Sequence, residues 1–414
     1  MKLKALNFFS ERCRWARPSE IRELLKLTYH PNVISFMTGL PNQSTFPYKE
    51  TEEIALEMLE ECPEIVLQYG TTEGVNALRE EVLKISKKDG IDADVNMVII
   101  TSGLQQSLDL ISKAFLNPHD KVLVENPTYS ARLEAFHAFQ ANIDGIPIDQ
   151  GGLQVEFLEE YLKSITSKKE LPKFIFVIPT FQNPTGVSMS ERRRKKLIDL
   201  AHEFNFLIVE DDTYSKLRYD GEPIKPIKAY DKEGRCICIG SFSKILAPGF
   251  RLSWTIAHPD VIKKLAITKQ SSDLCTSAFN QEIVLRMIRK GYLDKQIEHA
   301  RKVYKNKRDI LIKAMDQYFP EGVTWNRVMG SIFCWVSIPK PANTLEMLQI
   351  AMREKVAYMP GHVFYLQDGQ ENTLRLNFTA PDNDEIVEGI QRLARVIQKE
   401  MSKPILRNDL IVGV

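Results

Sequence analysis

Short apolar runs alternate with amphipathic stretches over the first two thirds of the chain. The apolar runs have strand length and are rich in β-branched and aromatic residues: 97–101, 121–125, 173–179, 206–210 and 235–240. Stretches with helical spacing lie around them, at about 74–88, 104–116, 129–140 and 190–205. Near-continuous apolar strands belong to parallel sheets that are covered on both faces. The pattern predicts an α/β fold whose large domain has a mostly parallel central sheet flanked by helices.

The pattern changes after about residue 285. A charged helical stretch, an alternating segment and a further helix–strand–helix pattern follow in turn: 281–317, 330–336, 343–354, 373–379 and 383–401. This order predicts a second, smaller α+β domain. The predicted division of the chain has four parts: an N-terminal arm with part of the small domain (1–45), a large cofactor-binding domain (46–290), a small C-terminal domain (291–401) and a tail (402–414).

The helix near residue 190 carries two local signals. Ser188 and Glu191 are three residues apart, which predicts a capping box at its N-terminus. The basic run 192–196 then follows. Because the run is isolated in a neutral chain, we interpret it as a solvated helix face.

Composition and charge narrow the class of protein. The 414 residues include 55 Lys and Arg and 54 Asp and Glu, for a formal net charge of +1. No global field therefore draws the protein onto nucleic acid or an anionic membrane. No stretch approaches the roughly 18 apolar residues of a membrane span. We expect neither a nucleic acid nor a membrane as partner.

The six cysteines lack paired motif spacing. This usage is typical of reduced thiols, so we expect a cytoplasmic protein. Cys236 and Cys238 alternate within one strand, and no Cys or His pair follows them at zinc spacing. They are predicted to be core residues, and no metal site is expected.

The candidate chemistry lies where predicted strands end. Polar segments follow four strands, at 101–106, 183–186, 210–214 and 241–244, and Arg251 comes seven residues after Lys244. Ligands of open α/β sheets bind at the carboxyl ends of the strands. Each segment alone has an ordinary interpretation as a turn, a helix cap or a solvated lysine. It is their joint occurrence, in this order, that indicates a site.

The combination fits pyridoxal 5′-phosphate (PLP). This cofactor needs a lysine amine that condenses with its aldehyde, an acid against its pyridine nitrogen and an anion-binding cradle. Lys244 can supply the amine and Asp211 the acid. Tyr214 and Asn183 can donate hydrogen bonds to the phenolic oxygen of the ring. The phosphate is expected to meet a helix N-terminus, two hydroxyls and a guanidinium: Ser102, Gly103, Leu104, Gln105, Ser241, Ser243 and Arg251.

With these motifs, the sequence resembles the fold-type I, class I/II PLP-dependent aminotransferases. It is most similar to the kynurenine/2-aminoadipate aminotransferase branch and to related prokaryotic aromatic and multi-substrate aminotransferases. The resemblance runs from about residue 15 to 401, and these segments carry it: 39–42 (Gly-Leu-Pro-Asn), 68–70 (Gln-Tyr-Gly), 101–103 (Thr-Ser-Gly), 127–130 (Pro-Thr-Tyr-Ser), 183–186 (Asn-Pro-Thr-Gly), 210–214 (Glu-Asp-Asp-Thr-Tyr), 241–244 (Ser-Phe-Ser-Lys), 360–365 (Pro-Gly-His-Val-Phe-Tyr) and 374–378 (Leu-Arg-Leu-Asn-Phe).

The resemblance implies further roles around the cofactor. Tyr129 would stack on the cofactor ring. Tyr69 would reach the cofactor phosphate of the neighbouring subunit, which implies a homodimer with shared active sites. Arg375 would hold the substrate α-carboxylate with help from Asn183. Two more residues would lie at the substrate: Gly39 beside its backbone, and Arg22 in the N-terminal arm that covers it.

Two positions depart from the family pattern. Thr213 stands where the aspartate motif often has proline, and we interpret this exchange as a change in loop stiffness rather than chemistry. Ser331 follows Gly330 where a second glycine is common, which leaves the side-chain pocket and the substrate specificity open.

The predicted activity is transfer of an amino group to a 2-oxo acid such as 2-oxoglutarate. The expected donors are 2-aminoadipate, aromatic amino acids or kynurenine-like amino acids. A carbon–sulfur lyase on the same scaffold is the first alternative. A non-catalytic PLP-binding regulator is the second, but such regulators carry an N-terminal DNA-binding module, and only about 30 residues precede the apolar segment 33–36.

Overall fold

The computed structural model describes residues 8–15, 18–28, 32–367 and 369–403. The β-strands in these ranges are β1 (Ile34–Ser35), β2 (Val98–Thr101), β3 (Lys121–Asn126), β4 (Asn142–Asp149), β5 (Gly152–Leu153), β6 (Phe174–Val177), β7 (Leu207–Asp211), β8 (Cys236–Ser241), β9 (Ser253–Ile256), β10 (Thr324–Trp325), β11 (Phe333–Ser337), β12 (Val356–Ala357), β13 (Met359–Pro360) and β14 (Thr373–Asn377).

The α-helices range from one turn to more than seven turns in length. They are α1 (Glu11–Trp15), α2 (Glu20–Thr28), α3 (Tyr48–Glu61), α4 (Pro63–Val66), α5 (Asn76–Lys88), α6 (Leu104–Phe115), α7 (Glu134–His137), α8 (Val155–Ser164), α9 (Glu191–Glu203), α10 (Pro259–Gln270), α11 (Ala278–Arg289), α12 (Tyr292–Tyr318), α13 (Thr344–Arg353) and α14 (Asn383–Met401).

The central sheet has eight strands in the order β2-β9-β8-β7-β6-β3-β4-β5. Strands β8, β7, β6, β3 and β4 pair in parallel, whereas β9 pairs antiparallel with both β8 and β2. Two antiparallel pairings return β2 to the direction of β8, so their carboxyl ends share one edge of the sheet. The predicted α/β layer fold is confirmed, and the five predicted strands correspond to β2, β3, β6, β7 and β8.

Alternate residues of the parallel strands pack against the two faces of the sheet. Phe174 and Phe176 of β6 belong to the larger buried cluster, whereas Ile175 and Val177 pack with Leu197 in a second cluster beneath α8 and α9. Because both faces are covered, polar groups of this sheet are accessible only at its edges and strand ends.

A second sheet, antiparallel, contains strands from the C-terminal third in the order β10-β11-β14-β13. Strand β1 near the N-terminus pairs in parallel with β12, which places residues 34–35 beside residues 356–357. The N-terminal segment and the C-terminal third are therefore physically joined. The chain limits assigned to the domains from the sequence stay a prediction, and most of the predicted tail, 404–414, lies outside the described residues.

Several predicted helical features differ from the structure. The N-cap of α9 is Ser190, whose Oγ accepts from the Arg193 N–H, so the capping box predicted at Ser188 is wrong. Ser188 accepts from Phe181 instead. The long charged stretch 281–317 is two helices, because Gly291 takes a φ of +73° that residues with a side chain rarely adopt.

The basic run 192–196 is not a uniformly solvated face. Arg194 is fully buried and donates to the carbonyls of Met189, Lys225 and Pro179. Helical periodicity turns this one member of the run toward the core. Burial raises the pKa of the Glu210 carboxyl there, and the Arg194 guanidinium opposes that rise.

The cysteines at 236 and 238 are buried in β8, as predicted for core residues. In the described ranges, no helix is both long enough and apolar enough to cross a bilayer.

Candidate active site

A cavity of about 170 Å³ lies at the carboxyl ends of the central strands. Many of the residues predicted for the site line this cavity, and they come from seven segments of the chain: Gly39, Leu104, Gln105, Tyr129, Asn183, Tyr214, Ser241, Ser243, Lys244, Arg251 and Arg375. Because β2, β7 and β8 end at the same edge, the segments that follow them meet here, and Gly39 and Arg375 join them from outside the central sheet. The strand-end motifs therefore form one site.

Lys244 follows β8 and is partly buried in the cavity. Its Nζ donates a hydrogen bond of 2.7 Å to the Gly39 carbonyl. Burial, together with the nearby Arg132 and Arg375 guanidinium groups, lowers the pKa of this amine to about 7. Near neutral pH the amine is thus poised between its charged and neutral forms, as a nucleophile or general base requires.

Asp211 is the last residue of β7 and is only 1% exposed. Burial raises the pKa of its carboxyl, whereas Arg132 and two hydrogen bonds from Thr213 lower it. Arg132 Nε lies 3.6 Å from Asp211 Oδ2. Burial thus favours the protonated form of Asp211, and Arg132 and Thr213 oppose it by favouring the carboxylate.

Tyr214 and Asn183 are both buried beside this carboxylate and amine. The ring of Tyr214 makes an edge contact with Phe333, with 5.9 Å between their centroids. Burial raises the pKa of the Tyr214 hydroxyl, so it remains a hydrogen-bond donor at neutral pH. Asn183 Oδ1 accepts from Arg375 Nη1 at 2.8 Å.

The anion cradle lies at the N-terminus of α6. Gly103 precedes that helix with a φ of +92°, and a Cβ on it would lie 2.3 Å from Arg251 Nη2. Only glycine lets the guanidinium lie against the first-turn amides, which have no acceptors within the helix. Ser241 Oγ accepts from the Ser243 N–H at 3.2 Å, so both serines face this end of the cavity. A guanidinium, helix amides and hydroxyls together fit a phosphate.

Arg375 lies in β14 of the second sheet, yet it reaches the same cavity and is 1% exposed. Its guanidinium carbon lies 4.0 Å from the ring centroid of Phe333 and 4.9 Å from that of Phe364. Its Nη2 donates to the Met37 carbonyl, and its buried Nε has no hydrogen-bond partner among the described residues. Burial lowers its pKa to about 10, so it is a cation at neutral pH.

Five predicted site residues are not among those that line the cavity: Ser102, Gly103, Asp211, Tyr69 and Arg22. Ser102 Oγ donates to Asp273, which directs its hydroxyl away from the site. The Tyr69 side chain is 78% exposed, as expected for a residue that acts on another subunit. Arg22 is exposed on α2.

The helix that carries Arg22 is attached beside the site. Glu20 Oε1, in the first turn of α2, lies 2.9 Å from Nε2 of His362. His362 precedes Phe364, which contacts Arg375, by two residues. The N-terminal arm therefore lies next to the cavity, although Arg22 does not line it.

Sequence reasoning missed Arg132. The predicted helix 129–140 is instead a 3-10 turn, Ser130–Arg132, followed by the one-turn helix α7. This irregular segment follows the cavity wall, so both Tyr129 and Arg132 line the site. The spacing of three residues from Tyr129 was the available signal, because residues three apart share one side of such a turn.

The two departures from the family pattern have structural consequences. The N–H and hydroxyl of Thr213 both donate to Asp211 Oδ1, so its effect reaches the acid itself and the interpretation as loop stiffness alone is wrong. A proline would lack both donors. Ser331 is buried with a φ of +69°, and its hydroxyl has no partner among the described residues. The absence of a second glycine therefore leaves a strained residue two positions before Phe333.

Comparisons with known proteins agree with this geometry. The family model "Aminotransferase class I and II" matches residues 33–393. Aromatic-amino-acid aminotransferase 1 from Thermococcus litoralis is 46% identical over 96% of this chain and 95% of its own. The solved kynurenine aminotransferase from Pyrococcus horikoshii, in complex with PMP, is 47% identical, with a TM-score of 0.92 over 97% of this chain and 99% of its own.

A third relative extends the range of substrates. The solved α-aminoadipate aminotransferase from Thermus thermophilus, complexed with N-(5′-phosphopyridoxyl)-L-leucine, is 34% identical. Its TM-score is 0.88 over 97% of this chain and 100% of its own. The relatives thus include aminotransferases for aromatic, kynurenine and aminoadipate substrates.

The fold and site define a PLP-dependent enzyme of fold type I. The chain belongs to the class I and II aminotransferases, in the branch of the kynurenine, 2-aminoadipate and aromatic aminotransferases. Its substrates are amino acids and 2-oxo acids, and its cofactor is PLP.

Proposed function

We propose that this aminotransferase moves the amino group of an aromatic, kynurenine-like or 2-aminoadipate donor to a 2-oxo acid such as 2-oxoglutarate. The observation that carries the proposal is the buried guanidinium of Arg375, with its unpartnered Nε, in the cavity that holds Lys244. All these substrates share an α-carboxylate. A carboxylate is the acceptor that a desolvated guanidinium needs.

The residues divide between holding the cofactor and holding the substrate. Arg251, Ser241, Ser243 and the N-terminus of α6 bind the cofactor phosphate, and Tyr129 lies against its ring. When bound, PLP supplies an electron-withdrawing ring that stabilises negative charge at the substrate Cα. Arg375 and Asn183 bind and orient the α-carboxylate.

Two residues hold or move protons. Lys244 would hold the cofactor through its Nζ and, when that amine is free, would accept the proton of the substrate Cα. A pKa of about 7 suits this transfer, because both protonation states are populated at neutral pH. Asp211 keeps a proton on the pyridine nitrogen, and Tyr214 donates to the phenolic oxygen of the ring.

The surroundings of the cavity support both aromatic and dicarboxylic amino acids as amino donors. Aromatic side chains, including Tyr129, Tyr214 and Phe333, form part of its wall and favour an aromatic substrate side chain. Arg22, on the arm that His362 joins to this region, is the candidate partner for the distal carboxylate of 2-aminoadipate or 2-oxoglutarate.

We further propose a homodimer with shared active sites. The segment from α3 to Tyr69 exposes large apolar side chains in a short stretch of chain: Tyr48, Leu56, Leu59, Ile65, Leu67 and Tyr69. Such a concentration is typical of an interface rather than of a monomer surface. In the dimer, Tyr69 would reach the cofactor phosphate of the partner site.

A half-reaction screen tests the substrate proposal. The holoenzyme is mixed with each of the twenty amino acids, 2-aminoadipate and kynurenine, and the visible absorbance of the bound cofactor is followed. We expect aromatic donors, kynurenine or 2-aminoadipate to react fastest, with the matching 2-oxo acid as product. Release of ammonia in place of amino transfer would identify a lyase, and a preference for small aliphatic donors would contradict the assigned substrate class.

A further inference from the structure

A second cavity, of about 330 Å³, lies beside the segment that follows β7. It shares no lining residue with the active-site cavity. Five basic side chains line it: Lys88, Lys216, Arg218, Lys225 and Arg301. Two carboxylates, of Asp89 and Asp212, stand against them. The lining therefore carries an excess of positive charge in a chain that is neutral overall.

Arg218 presents an unused hydrogen-bonding edge. Its guanidinium carbon lies 4.5 Å from the ring centroid of Phe181, which fixes the plane of the group. Its Nη1 donates to the Asp220 carbonyl at 3.4 Å, but Nε and Nη2 are buried with no acceptor anywhere in the described ranges. Nε and Nη2 form the side of a guanidinium that pairs with two oxygens of a carboxylate or phosphate.

Two other cations of the cavity lining are held in position by polar contacts. Lys216 Nζ forms an ion pair with Asp89, and Arg301 Nε donates to the Lys216 carbonyl. Burial and repulsion from Arg301 lower the pKa of Arg218. A bound anion would offset both effects, because it neutralises charge where positive groups repel one another.

Asp212 supplies a complementary group in the same cavity. Its Oδ2 accepts from Ser215 Oγ at 2.7 Å, whereas the buried Oδ1 has no partner within the described part of the chain. Burial, together with the buried Glu210, raises the pKa of this carboxyl to about 7. In its protonated form Asp212 can donate to an oxygen of the ligand. The cavity thus offers the unpaired N–H donors of Arg218 and a carboxyl group, that of Asp212, which can be either protonated or ionised.

We propose that this cavity binds a small oxyanion, the phosphate or carboxylate group of a metabolite, through the Nε–Nη2 edge of Arg218. The site is separate from amino transfer and does not rest on the proposed substrates. It lies one residue from the active site along the chain, since Thr213 lines the active-site cavity and Asp212 lines the second one.

Isothermal titration calorimetry on the holoenzyme at low ionic strength tests the site. Inorganic phosphate and succinate serve as separate probes, which distinguishes a phosphate ligand from a carboxylate ligand. We expect one of them to bind the wild type and to bind Arg218→Gln at least tenfold more weakly. Arg353→Gln, which changes an exposed arginine of α13, is the matched control and should bind like the wild type.

A second variant covers the case in which Arg218→Gln does not fold. Lys225→Gln changes an exposed side chain of the cavity and should weaken binding several-fold through lost charge. Binding that persists unchanged in both variants belongs to the active site and overturns the proposal. Absence of binding of either probe to the wild type at tens of millimolar overturns it as well.

Discussion

Thr213 donates two hydrogen bonds to Oδ1 of Asp211, one from its backbone N–H and one from its hydroxyl. Both lower the pKa of the buried acid, whereas burial raises it. The residue that departs from the family motif thus favours the ionised form of the acid proposed to face the pyridine nitrogen, against the effect of burial. The consequence is measurable in the pH dependence of the reaction.

Thr213→Val removes the hydroxyl and keeps the shape and the N–H. Hydrogen bonds to charged groups contribute about 1.5–3 kcal/mol, so we expect a loss of roughly tenfold to a hundredfold in kcat at neutral pH. Because the lost bond lowered the pKa of Asp211, the acidic limb of the pH–rate profile should move to higher pH. Thr213→Ser keeps the hydroxyl and serves as control. An unchanged profile in the valine variant would show that the bond does not act on Asp211.

Arg132→Gln tests the electrostatics of the site. Arg132 lowers the pKa of both Lys244 and Asp211, and its removal should raise both. A lysine with a higher pKa loses its proton only at higher pH, and Asp211 ionises at higher pH too. The whole profile of kcat against pH should therefore shift to higher pH. A shift to lower pH would mean that Arg132 does not act as the cation that lowers the pKa values of Lys244 and Asp211.

Lys244→Ala should nearly abolish turnover while leaving the fold intact. The variant lacks the amine proposed to attach the cofactor, so the purified protein should lose the visible absorbance band of the attached cofactor. Circular dichroism checks the fold. Near-normal rates together with the wild-type band would exclude Lys244 as the attachment site.

Arg375→Lys keeps the charge but not the planar fork. All amino and oxo acids share the α-carboxylate, so KM should rise by a similar factor for each, and about 1.4 kcal/mol of lost binding corresponds to tenfold. The absorbance of the bound cofactor should not change. A loss confined to dicarboxylic substrates would assign Arg375 to the substrate side chain.

Arg194→Leu and Arg192→Leu form a matched pair on α9. Arg194 is fully buried and offsets the charge of the buried Glu210, so its removal should cost about 3–5 kcal/mol of unfolding free energy. The Arg192 side chain is 71% exposed and pairs with Glu156 at the surface, where a pair contributes about 0–1 kcal/mol. Urea denaturation compares the two variants. Equal losses would contradict the structural role of Arg194.

Local sequence patterns were sufficient for the sheet and for most of the cofactor site. Continuous apolar runs identified five strands because strands buried on both faces need no polar alternation. The motifs at strand ends identified Lys244, Asp211 and Arg251, because parallel strands bring their carboxyl ends to one edge. Helix α14 follows its predicted bounds, 383–401, and has a capping box of its own.

Contacts between distant segments were decided only by the tertiary structure. The burial of Arg194 depends on carbonyls at 179, 189 and 225, and the role of Arg132 depends on Asp211, 79 positions away. Periodicity reports which face of an element a residue occupies, but not what that face meets. Whether a charge is solvated, paired or left with a free edge, as in Arg218, therefore follows from packing alone.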